Sequence, residues 1–133
     1  MTRISKIFVA AGLVNIVGVL VVSKAFTSDY APRLDPDVFS WLGLVSIMLW
    51  GAAYIAVSRH YQNVPALLAV FFVEKLVYFG AWLIWILDPP VPLGEVFQHS
   101  KIVGGFFAGY GLIDLAFGLF FLAVLLKVAK TSR

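Results

Sequence analysis

Glu74 and Lys75 lie side by side in the middle of an apolar run, residues 64–87, that is long enough to cross a bilayer, and Asp114 occupies the middle of a second run, residues 102–128. Lipid hydrocarbon strongly disfavours ionised side chains. Charges at that depth therefore face protein or a water-filled cavity, pair with one another, and by default mark a working site. Two carboxyl groups and one amine offer proton exchange, cation binding and acid/base catalysis. With all three ionised the site carries a net negative charge, which desolvation opposes. One carboxyl group is thus expected to hold a proton, or a cation is expected to be bound. Successive residues on a helix point about 100° apart, so Glu74 and Lys75 must look toward different neighbours. We expect Lys75 to bridge to Asp114 and Glu74 to turn toward Asn15 or the face bearing Ser46 and Trp50.

Membrane helices are the elements that must position these groups. The chain is 62% hydrophobic and only 13% charged, which excludes an ordinary soluble domain. A crossing takes about 20 mostly apolar residues, and four segments qualify: residues 7–22, 38–57, 64–87 and 102–128. They use up nearly all of the 133 residues, so one four-span domain is expected over 1–133. The expected fold is all-α, a polytopic membrane four-helix bundle with antiparallel neighbours. Arg3 and Lys6 before the first run invite a signal-peptide reading, but Ser23, Lys24 and Ala25 make a poor cleavage site and Asn15 interrupts the run. The first segment is therefore read as a membrane helix.

Each span carries a polar residue near its midpoint: Asn15, Ser46, the Glu74 and Lys75 pair, and Asp114. All should lie at one depth. At helical spacing Ser46 shares a face with Trp50 and Tyr54, Glu74 with Tyr78, Trp82 and Trp85, and Asp114 with Tyr110, Phe117, Gly118 and Phe121. Aromatic stripes are more often packing than a ligand cage, and Trp82 and Trp85 fit an interfacial belt. Glu74, Lys75, Asp114, Asn15, Ser46, Trp50, Tyr54, Tyr78 and Tyr110 form the candidate ligand- or proton-binding set. Gly104, Gly111 and Gly118 recur every seven residues, while Ala11, Gly12 and Gly18 flank Asn15. Small residues let membrane helices approach closely, which favours contact between the first and fourth spans.

Orientation follows from the basic residues. Arg3, Lys6, Arg59, Lys127, Lys130 and Arg133 fall on one side, and Lys24, Arg33 and Lys101 on the other. The positive-inside rule then places both termini in the cytoplasm, in a bacterial inner membrane. Lys24 and Lys127, near span ends, can snorkel to the interface. Residues 58–63 form a short inner hairpin, with Asn63 as helix cap ahead of Pro65. On the outer side Asp35, Pro36 and Asp37 read as a cap and proline that start the second helix. Residues 93–100, after the Pro89, Pro90 and Pro92 break, form a short interfacial turn or plain connector.

Several chemistries are excluded or disfavoured. There is no cysteine, hence no disulfide, thiolate metal site or iron–sulfur cluster. His60 and His99 fall on opposite sides, so no metal site or cofactor is expected from them. The net charge of +3 follows from topology and indicates no nucleic-acid partner. In size and four-span layout the chain resembles the small multidrug transporters and the DoxX-like proteins; where the former place a glutamate in the first span, this chain has Asn15. Three readings remain: a module that binds a small cationic or amphipathic ligand, with proton-coupled transport; a membrane enzyme doing acid/base chemistry on a lipophilic substrate; and a non-catalytic, oligomer-forming subunit. The lipid bilayer is a partner under each, and a homo-oligomer under the first and third.

Overall fold

The computed structural model describes residues 1–131, and all its regular elements are helical. In chain order they are α1 (Arg3–Val22), α2 (Tyr30–Leu34), α3 (Pro36–Phe39), α4 (Trp41–Val57), a 3-10 turn (Tyr61–Asn63), α5 (Pro65–Leu87), α6 (Leu93–His99) and α7 (Lys101–Thr131). By length and composition α1, α5 and α7 are sufficient to cross a membrane, whereas α4 is apolar but only 17 residues long. Their outward faces carry Leu13, Val17, Val77, Ile84, Leu112 and Leu119, all exposed. Apolar exposure on this scale suits contact with lipid chains rather than water. Arg133, counted above with the inner-side charges, lies outside the described residues.

Local chemistry explains the boundaries and corrects two of those expected. Thr2 caps α1, its hydroxyl accepting a hydrogen bond from the Ser5 amide at 3.0 Å. Neither glycine nor proline ends α1. Instead Lys24, Ala25 and Phe26 all take left-handed backbone angles, with φ of 50°, 56° and 67°, a conformation costing about 1–2 kcal/mol per residue. Ser23 holds this turn by donating to the Val19 carbonyl at 2.6 Å and accepting from the Phe26 amide at 3.0 Å. Asp35 and Pro36 do start a helix, but only the single turn α3. The second long helix begins at Trp41 because Ser40 adopts extended backbone and its hydroxyl accepts from the Gly43 amide at 3.1 Å. Replacing Ser40 with alanine should cost about 1 kcal/mol of stability and speed hydrogen exchange at the Gly43 amide. Likewise Val64, not Asn63, caps α5. A residue before proline is turned away from helical backbone, as Val64 is with φ of −133° and ψ of 54°, and Asn63 closes the preceding 3-10 turn.

The chain divides into two compact units, Met1–Arg59 with Pro89–Phe106, and His60–Asp88 with the chain from Phe107 onward. In the first unit α1 and α4 run antiparallel and cross at glycines. A Cβ on Gly51 would lie 2.7 Å from the Gly12 carbonyl oxygen and 2.8 Å from the Asn15 Cβ, so neither position leaves room for a side chain. The two backbones meet there, as small residues permit in membrane helices. Beyond the end of α1, Tyr30 stacks on His99 with centroids 4.0 Å apart, and Phe39 meets Phe106 edge-on at 5.4 Å. Partial burial pushes the Asp35 carboxyl above the usual carboxylate range. An acid whose pKa is raised by folding is penalised when ionised, so this segment gains stability as pH falls through that raised value.

In the second unit α5 and α7 are antiparallel with a seven-residue register. Lys75 lies against Gly118 and Trp82 against Gly111. Phe71 and Phe121, with centroids 5.4 Å apart, form a neighbouring layer. Gly12 therefore packs on the second long helix, and Gly111 and Gly118 on the third.

Candidate functional site

Helix α5 places Glu74 and Lys75 near its centre, and both are buried, at 7% and 1% relative exposure. Lys75 reaches α7. Its Nζ lies 2.9 Å from Asp114 Oδ1, a hydrogen-bonded ion pair in which the lysine side chain is 2% exposed and the aspartate 15%. Gly118 makes this possible, since a Cβ there would stand 3.0 Å from the Lys75 Cβ. The lysine stem can lie flat on α7 and run back one turn, about 6 Å, to the carboxylate.

Aromatic layers bound the pair on both sides. One is the Phe71–Phe121 contact. On the other, the Trp82 ring covers Gly111, and its indole N–H donates to the Phe107 carbonyl at 2.8 Å. Trp85 meets Phe107 with centroids 4.6 Å apart, and Phe107 meets Tyr110 edge-on at 5.9 Å. Trp82 and Trp85 are therefore packed inside the unit, at 7% and 6% exposure, with their rings against α7 rather than turned outward. A ring that fills the space left by a glycine and satisfies its own N–H inside the unit has no need of the interface. Apolar walls also lower the local dielectric, which strengthens the ion pair and raises the penalty for breaking it.

The remaining candidates divide between the two units. Tyr78, one turn beyond Glu74 on α5, is near enough to feel the charge of both Glu74 and Asp114. Tyr110 is buried one turn from Asp114 on α7. In the first unit the Asn15 amide donates to the Ile47 carbonyl of α4 at 3.0 Å, which ties α1 to α4 close to the glycine crossing. Ser46 donates to the Leu42 carbonyl of its own helix at 2.9 Å, so its hydroxyl is used locally. Tyr54 is fully buried and Trp50 half-buried. Sequence reasoning passed over the Trp82–Gly111 contact, although Gly111 stands seven residues from Gly118 as Trp82 does from Lys75.

The chemistry on offer is ionic. Lys75 is the one buried base among the described residues, Glu74 the one buried acid, and Asp114 a half-buried second acid. The group holds one more acid than base. No cluster of three or more histidine, cysteine, aspartate or glutamate side chains suited to a metal occurs among the described residues. No protein-family model, curated protein or solved structure matches the chain.

Proposed function

We propose that the chain is a four-span integral membrane protein of the bacterial inner membrane, with cytoplasmic termini, whose buried site binds a small cationic or amphipathic ligand in exchange for a proton. The observation that carries this reading is the Lys75–Asp114 ion pair at 2.9 Å. By charge count the group sets two acids, the buried Glu74 and the half-buried Asp114, against one base, Lys75. A buried carboxylate in excess favours either a proton or a cation, and competition between the two is the elementary step of proton-coupled binding.

The four-span layout rests on α1, α5 and α7 together with α4. At 17 residues α4 rises about 26 Å, the lower limit for crossing hydrocarbon. Orientation rests on the asymmetry of the basic residues. The binding experiment uses a lipophilic cation, tetraphenylphosphonium, titrated into the purified protein at pH 6 and pH 8. Wild type should bind about tenfold or more tightly at pH 8, where fewer protons compete. Glu74→Gln should lose both the binding and its pH dependence while still inserting and folding. Equal affinity of wild type and Glu74→Gln would rule this reading out.

A further inference from the structure

Among the described residues of its unit, one end of the α1·α4 pair is basic with no acid to offset it. The antiparallel register that sets Gly12 against Gly51 and Asn15 against Ile47 brings Arg3 and Lys6 level with the end of α4 and Arg59. All three side chains are exposed. None forms an ion pair among the described residues, where the salt bridges are Arg33–Asp29 and Lys75–Asp114. The acids of this unit, Asp29, Asp35, Asp37 and Glu95, belong to the segments beyond the other ends of α1 and α4. Two helical turns from Lys6, the exposed Leu13, Val14 and Val17 begin the apolar face of α1. Bases therefore stand at the end of an apolar face suited to acyl chains.

We propose that Arg3, Lys6 and Arg59 form a binding site for the phosphate headgroup of an anionic phospholipid. Charge complementarity selects the headgroup. The apolar face below supplies what a free phosphate would not use, contact along the acyl chains. Basic residues near a membrane surface each strengthen attachment to anionic lipid by about fivefold, and the attraction weakens as salt shortens the screening length. This site is independent of Glu74, because it uses other residues and needs no proton.

The test is native mass spectrometry of the delipidated full chain titrated with phosphatidylglycerol or with phosphatidylcholine of the same acyl chains. Wild type should retain phosphatidylglycerol in preference. The triple variant Arg3→Gln, Lys6→Gln, Arg59→Gln should lose the preference by about fivefold per base removed, whereas Lys24→Gln with Arg33→Gln, at the opposite end, should keep it. Glycerol phosphate at millimolar concentration should not displace the lipid; displacement would mean a free-phosphate site and overturn the proposal. Should the triple variant fail to insert, wild type alone decides by salt titration. A preference that falls between 50 and 500 mM sodium chloride supports the site, and one that is absent or indifferent to salt overturns it.

Discussion

Replacing Lys75 with methionine is expected to destabilise the protein by about 3–5 kcal/mol, the usual consequence of removing one partner from a buried ion pair. The variant leaves the Asp114 carboxylate between aromatic layers without the amine that lies 2.9 Å from it. Asp114→Leu alone strands a lysine that is 1% exposed and should cost a similar amount. The double variant is the informative one. With both charges gone and comparable volume restored, stability should return to within about 1–2 kcal/mol of wild type, because apolar replacements for a buried pair are often neutral or stabilising. Reversible unfolding in mixed micelles would supply all four corners of the cycle. Single variants that each cost less than about 1 kcal/mol would show that water reaches the pair.

The second large effect is expected at Gly51. An alanine there puts its methyl group 2.7 Å from the Gly12 carbonyl oxygen and 2.8 Å from the Asn15 Cβ. Backbone cannot swing aside as a flexible side chain does, so α1 and α4 must separate, and the Asn15 bond to the Ile47 carbonyl stretches with them. Overpacking of this kind typically costs about 1–3 kcal/mol. Gly18→Ala is the matched control. Nothing stands within 4 Å of a Cβ at Gly18, and alanine favours helix over glycine by about 1 kcal/mol. The two substitutions should move the unfolding midpoint in opposite directions. Equal effects would mean that the glycine crossing does not hold the helices together.

Much of this architecture is legible in the sequence because the strongest signals there are collective. Long apolar runs mark α1, α5 and α7, and the Lys75–Asp114 contact follows from helical geometry, which forbids Glu74 and Lys75 from sharing a face. Competing local signals account for the boundaries that differ from the sequence pattern. Asp35 and Pro36 form a stronger start signal than Ser40, yet they govern only one turn, and the serine hydroxyl sets the beginning of α4. Trp82 has the composition of a belt residue. Its burial depends on Gly111 being without a side chain and on the Phe107 carbonyl being within reach, facts that reside on another helix 25 or more residues away. The regular spacing of Gly104, Gly111 and Gly118 signals close packing but does not name the partner. In the structure the partners are Phe97, Trp82 and Lys75.

The proposed site differs from a purely structural ion pair in one respect. Structural glue needs only Lys75 and Asp114, and it leaves Glu74 with no part in binding. Proton exchange makes Glu74 the active group and the ion pair its fixed surroundings. The structural reading predicts that Glu74→Gln changes stability alone. The exchange reading predicts that it abolishes a proton transfer that can be counted.

That count is the most direct test. Purified protein in lightly buffered detergent solution near pH 7 is titrated with tetraphenylphosphonium while pH is followed with an indicator dye. Wild type should release about one proton for each cation bound, and Glu74→Gln should release none. Cation binding with no proton release by wild type, or the same release from Glu74→Gln, would contradict the account.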